Sequence, residues 1–222
     1  MKKTFALAVT AAFMMCGNAS AGVVINEVIG STTGGDTEFI ELFNNCTTPI
    51  DISGWVIEEV ESDPGASNGT IDDSWTIPAG FTLGPSGQAD SYYLLGNQNF
   101  VDAFNVTPNQ LEDLSIENSS YTLVLRDASG AAQFTVFSND GDGVVPAGLT
   151  PDLSVGPDGV FAPAGFTFDT DGGGSTSILE FAPVPAASAT PTPGVFPAAI
   201  PEPSSMALLG LFGLAGLVRR RK

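Results

Sequence analysis

An all-β sandwich is the fold this 222-residue chain predicts, on three observations. Seven β-branched or aromatic runs, Val23–Ile29, Glu38–Phe43, Ile50–Ile57, Trp75–Ile77, Ser91–Leu95, Tyr121–Leu125 and Phe134–Phe137, are separated by clusters of Gly, Asn, Asp and Pro. Within the runs polarity alternates: Ile40 and Leu42 flank Glu41, and Tyr121, Leu123 and Leu125 alternate with Thr122 and Val124, each giving one apolar face. Finally, 43% hydrophobic and 9% aromatic residues provide enough apolar surface to offset chain entropy, in a length that suits one medium domain. Seven short strands of this kind pack as two sheets.

The elements follow in order. The first two runs carry Glu27 and Glu41 inside otherwise apolar sequence. Paired carboxylates for acid–base work are one reading; carboxylates that face solvent or bond neighbouring backbone are the favoured one. Asn44–Asn45 and Ser53–Gly54 are turn chemistry. Gly54 relaxes the chain at a bulge or turn so that the Trp55 indole enters the core. Trp75 and Tyr92–Tyr93 have the shape to stack on sugars, but a sandwich of this size needs them in its core. Gln98–Phe104 reads as a helix of two turns before Pro108. Beyond Phe137 an Asp-Gly-rich stretch has no pairing that the sequence places, and no internal repeat stands out.

Charge excludes several functions. The chain has 25 Asp plus Glu, 7 Lys plus Arg and no histidine, for a net charge of -18. Without histidine there is no Ser-His-Asp or Cys-His nucleophile and no His-ligated zinc or haem. Between Gly22 and Ile200 Arg126 stands alone against 24 acids, leaving -23. Nucleic acid is excluded as a partner, because phosphate contacts need Lys and Arg, and anionic membrane surfaces are disfavoured.

The two ends have their own patterns. Lys2-Lys3, an apolar stretch from Phe5 to Met15 and Ala19-Ser20-Ala21 form the order of a secretory signal peptide, residues 1–21, cleaved between Ala21 and Gly22. Signal peptidase and the secretion machinery are the partners this implies. Cys16 invites a lipoprotein reading, but Met15 occupies a position that needs a small residue. At the other end, a short linker, 197–200, precedes Pro201-Glu202-Pro203, a hydrophobic helix expected over 204–218, and Arg219-Arg220-Arg221-Lys222. The prolines hold Glu202 extended, and Ser204 and Ser205 suit a helix cap. The apolar run from Met206 to Val218 spans about 20 Å as helix, short of a hydrocarbon core of roughly 30 Å. Basic residues behind it snorkel and fix that end on the cytoplasmic side. Gly210, Gly213 and Gly216 leave a smooth face for close helix approach.

The order of parts from Ile200 to Lys222 resembles the PEP-CTERM sorting signal of Gram-negative bacteria that make exopolysaccharide. The resemblance implies recognition by an exosortase-like membrane enzyme, with Pro201, Glu202 and Pro203 as the recognition motif and Arg219, Arg220 and Arg221 as the retention cluster. It implies a tail held transiently in the inner membrane, and a mature protein in the envelope, at the surface or in the extracellular matrix.

The body resembles a second family. Val24-Ile25-Asn26-Glu27-Val28, Glu38-Phe39-Ile40-Glu41-Leu42-Phe43-Asn44 and Ile50-Asp51-Ile52-Ser53-Gly54-Trp55 resemble the opening of the lamin tail domain, an immunoglobulin-like β-sandwich. Ser91-Tyr92-Tyr93-Leu94-Leu95 and Tyr121-Thr122-Leu123-Val124-Leu125-Arg126-Asp127 continue it. Gly156-Pro157-Asp158-Gly159 and Pro191-Thr192-Pro193-Gly194 are weaker echoes where such domains close. The resemblance places the domain at 22–196, with its best match over 23–138.

Candidate chemistry is confined to carboxylates. Asn139-Asp140-Gly141-Asp142-Gly143 and Asp169-Thr170-Asp171-Gly172 place hard oxygen ligands at alternate positions, so Asp140, Asp142, Asp169 and Asp171 are calcium candidates. Neither loop is an EF-hand: with Gly143 or Gly172 at the sixth position, the twelfth is Leu149 or Ile178 rather than Glu. Acidic turns are the favoured reading, and no cofactor is required. Glu58, Glu59 and Glu61, with Asp63, suggest a glycosidase pair or, better, solvated charge in a loop. Cys46, left alone by signal removal, reads as a small buried hydrophobe. No residue is assigned as catalytic. The expectation is an exported, non-enzymatic structural or interaction module of the envelope or exopolysaccharide matrix. A calcium-dependent module binding extracellular polysaccharide or a surface protein is the first alternative, and a small carboxylate hydrolase the second.

Overall fold

The computed structural model describes residues 22–30, 37–156, 165–170, 173–179 and 193–194, with 169–170 and 173–179 as backbone only. The elements in chain order are β1 (Val23–Ile29), β2 (Phe39–Asn44), β3 (Ile50–Asp51), β4 (Val56–Glu61), β5 (Ile71–Thr76), β6 (Thr82–Leu83), β7 (Tyr92–Gly96), α1 (Gln98–Phe104), β8 (Gln110–Leu111), β9 (Tyr121–Arg126), β10 (Ala132–Ser138), β11 (Leu153–Val155), β12 (Gly165–Thr170) and β13 (Gly173–Leu179). One sheet runs β13-β12-β1-β2-β7-β8, the other β11-β10-β9-β4-β5, and β3 pairs with β6 in a small ribbon. This is a β-sandwich, as the alternating runs predicted, and it is immunoglobulin-like, as the resemblance of the body implied.

The core forms where the apolar faces meet. Ile25, Ile40, Leu42 and Tyr93 from the first sheet pack with Ile57, Leu123, Leu125 and Val136 from the second. Each buried aliphatic or aromatic side chain contributes roughly 1.5–3 kcal/mol. Trp55, Trp75, Tyr92 and Tyr93 are all buried, so the large aromatics are core residues. A second cluster, Ile29, Phe39, Leu94 and Phe100, lies on the far face of the first sheet, where α1 covers it. Asn97 caps α1 by accepting the Phe100 N–H at 2.9 Å, and Asn105 ends it at φ 53.

Several elements differ from the expectation. The run Ile50–Ile57 is two strands in two different sheets, because Gly54 turns the chain at φ 73 and its N–H bonds Ile77 O at 2.9 Å. Trp75 and Thr76 end a longer strand, β5, whose first four residues, Ile71 to Ser74, are exposed, and Ile77 lies just beyond it. Polar residues hid that part, since a strand at a sheet edge needs few apolar positions. The Asp-Gly-rich stretch pairs after all: β11 runs parallel to β10, and β12 joins β1 to β13.

Glu27 and Glu41 do not face solvent. They are opposed across β1 and β2, and each is 1% exposed. Glu41 does bond backbone, accepting from Gly194 N at 2.6 Å, and from the Asn26 side chain at 2.8 Å. Cys46 is buried.

No helix among the described residues is long and apolar enough to cross a membrane. The signal segment 1–21 with Ala21, the linker 197–200 and the tail 201–222, including Pro201, Glu202, Pro203, Arg219, Arg220, Arg221 and the expected helix 204–218, lie outside the described residues.

Candidate functional site

Antiparallel pairing brings the end of β4 beside the start of β9 and the end of β10, with Glu61 opposite Tyr121 and Tyr121 opposite Ser138. Past the strands, Ser62 continues the pairing: its N–H bonds Ser120 O at 3.1 Å and its carbonyl accepts from Val144 N at 2.7 Å. The loop after β10 is closed by the Asn139 side-chain oxygen, which accepts from Gly141 N at 2.8 Å and Gly143 N at 3.0 Å. Three chain segments thus meet at one end of the sandwich, and nearly everything they present is acidic.

Ser120 organises the first acidic group. Its hydroxyl donates to Asp140 Oδ1 at 2.6 Å and accepts from Asp140 N at 3.0 Å, while its own N–H donates to Asp63 Oδ1 at 3.2 Å. Carboxylate oxygens of Asp63, Asp140 and Asp142 all lie within 4.8 Å of one another. The Ser120 hydrogen bond holds the Asp140 carboxyl below its ordinary range. Asp142 is held above it, first by its hydrogen bond to Asp140 and then by that neighbour's charge. Three carboxylates at this spacing would supply only part of the shell of about six to eight oxygens that Ca²⁺ takes.

A second group, Glu61, Asp72 and Glu117, sits alongside with the same spacing. Glu61 connects the two, since its Oε1 accepts from Asp63 N at 2.7 Å. Burial raises the Glu117 carboxyl, and the charges of Glu61 and Asp72 raise it further. Behind them Glu59 is 1% exposed, and its Oε1 accepts from Glu117 N at 2.7 Å. Burial pushes the Glu59 carboxyl up to about 7 despite that hydrogen bond.

Two of the four calcium candidates, Asp140 and Asp142, are therefore brought together, with Asp63 as a third member. Asp169 lies on β12 in the other sheet with its side chain outside the described residues, and Asp171 lies outside them altogether. The cluster of Glu58, Glu59 and Glu61 is in a strand rather than a loop, because Val56, Ile57 and Val60 pair on both sides. Glu58 makes the one ion pair among the described residues, 2.6 Å from Arg126 Nε. Sequence reasoning missed Asp72 and Glu117; no local pattern marks them, since Asp72 comes to Glu61 through the pairing of β5 with β4, and Glu117 lies in the segment before β9, where its N–H bonds Glu59.

A groove of about 690 Å³ runs beside α1, lined by Asp73, Asn97, Gln98, Glu112, Asp113 and Leu114 among others. Its amides are already engaged: Gln98 donates to Asp102 at 3.0 Å, and Asn97 donates to Leu114 O at 3.2 Å.

An immunoglobulin-like sandwich with an acidic end and an apolar, base-ended tail defines the class. The Lamin Tail Domain family model matches residues 17–140, more than half of the chain, and the chain belongs to that family. The PEP-CTERM protein-sorting motif matches residues 199–222. No curated protein matches the chain. The sorting motif indicates export and sorting to the cell envelope in Gram-negative bacteria, and it implies processing by an exosortase, a membrane enzyme.

Proposed function

We propose that the protein is a non-enzymatic structural or interaction module displayed in the cell envelope or the exopolysaccharide matrix. The observation that carries this reading is the sorting motif at 199–222 attached to a single lamin-tail sandwich. Signal peptidase removes residues 1–21 during secretion, the exosortase-like enzyme reads Pro201, Glu202 and Pro203, and Arg219 to Arg221 retain the tail until it is processed. The sandwich then presents its loops to an extracellular polysaccharide or a surface protein. Fractionation of the native host tests this: the protein is expected in the envelope or matrix fraction. Recovery in the cytoplasm would contradict it.

A second reading, calcium-dependent binding of polysaccharide or a surface protein, is favoured by the convergence of Asp63, Asp140 and Asp142. Hard carboxylate oxygens on turns suit Ca²⁺, and a bound cation would relieve the repulsion among these groups. The melting temperature is then expected to rise with CaCl₂ and return with chelator, and Asp142→Asn is expected to abolish the response. A melting temperature indifferent to both would remove this reading. The carboxylate hydrolase alternative has no motif behind it and would require turnover lost on a single Asp or Glu substitution.

A further inference from the structure

The outer face of the first sheet carries two buried carboxylates, Glu27 and Glu41, directly opposed on neighbouring strands. Like charges in that position destabilise a sheet, and a buried carboxylate is tolerated only when its oxygens are hydrogen-bonded. Asn26 and Gly194 help Glu41 meet that need. Oε1 accepts from Asn26 Nδ2 at 2.8 Å within the sheet, and Oε2 accepts from Gly194 N at 2.6 Å, a residue 153 positions away. Pro193, just before it, is buried. Gly194 sits at φ 67, and a side-chain carbon there would come within 3.1 Å of Leu94 Cδ1. The contact is therefore shaped for this glycine.

We propose that the Asn26–Glu41 pair is a dock for the chain's own Pro193–Gly194 segment, and that it sets the tether on which the sorting motif meets its membrane enzyme. The dock rests on these contacts alone; its role rests on the reading of 199–222 as a sorting signal. Chain length gives the effect. From Gly194 to Pro201 only residues 195–200 intervene, a reach of at most about 25 Å. Without the dock the nearest described strand ends at Leu179, and the chain length from there to Pro201 allows at most about 75 Å. A docked tail thus holds the sandwich against the enzyme while the motif is engaged, and limits the orientations to be searched.

Two arms test this with the full-length chain. Hydrogen exchange is expected to find the Gly194 amide protected, and Glu41→Gln and Gly194→Ala are expected to speed exchange at position 194 roughly tenfold, about what one charge-assisted hydrogen bond contributes. Amides of β9 keep their protection in Gly194→Ala, so that variant decides the matter even if Glu41→Gln fails to fold. Rapid exchange of Gly194 in the unaltered chain would overturn the dock. In the native host, Gly194→Ala and a ten-residue Gly/Ser insertion after residue 196 are both expected to slow conversion of precursor to processed protein several-fold. Unchanged conversion in both would overturn the tether role. An unaltered chain that is never processed would overturn the sorting reading and the tether role with it, while a protected Gly194 amide would still uphold the dock.

Discussion

Glu59 shows how much one side chain can report about the acidic end. Its carboxyl is buried and raised to about 7 from an ordinary value of 4.5, so the folded protein binds that proton more tightly than the unfolded chain does. The contribution to stability is fully present below about 4.5 and is lost as pH rises through about 7. A shift of this size corresponds to roughly 3 kcal/mol. Denaturant melts from pH 4.5 to 8 are expected to show stability falling across that window, and Glu59→Gln to flatten the fall and be the more stable protein at pH 8. A slope unchanged by Glu59→Gln would assign the pH dependence to other carboxylates. Gly54 is the corresponding backbone position. At φ 73 it turns the chain between β3 and β4, and Gly54→Val is expected to cost about 1–3 kcal/mol in a denaturant melt. The role of Gly54 was legible in the sequence because a turn there was needed to deliver Trp55. The burial of Glu59 was not, because it depends on which strands lie on either side.

At the level of elements, alternation located β1, β2, β7, β9 and β10 to within a residue or two, and the two helical turns read over Gln98–Phe104 before Pro108 are α1. What failed were elements without an apolar signature of their own. β5 exposes Ile71 to Ser74 at the edge of its sheet, and β12 and β13 lie in sequence dominated by Gly, Thr, Ser and Asp. These strands exist because a partner offers hydrogen bonds, which a local pattern does not record. The edge of β5 carries Asp72 and Asp73, and charges on an unpaired edge discourage strand-to-strand association. Replacing both with Val is expected to raise aggregation, measured by light scattering at fixed concentration, with little change in the melting temperature. A double variant as monodisperse as the parent would show that the carboxylates do not guard that edge. The acidic end was half legible for a related reason: Asp140 and Asp142 announce themselves by spacing, whereas Asp63 joins them through the Ser120 N–H, and Asp72 and Glu117 join Glu61 from distant segments of the chain.

For the whole molecule the dominant quantity is the charge of -23 between Gly22 and Ile200, with Arg126 the single base. Self-repulsion on that scale opposes the compact state and is screened by salt. Raising ionic strength from about 0.01 M to about 0.1 M shortens the screening length from about 30 Å to about 10 Å, so the melting temperature is expected to rise. A salt-independent melt would mean that the charges are already compensated, by bound cations first of all. The same charge suits a soluble module held outside the cell, which returns the question to the two ends. Intact mass of the protein recovered from its native host tests the central claim most directly. The expected mass runs from Gly22 to about the Pro201-Glu202-Pro203 motif, with any added moiety naming the anchor's chemistry. A mass that still includes Met206 to Lys222 would contradict it and make this a tail-anchored membrane protein.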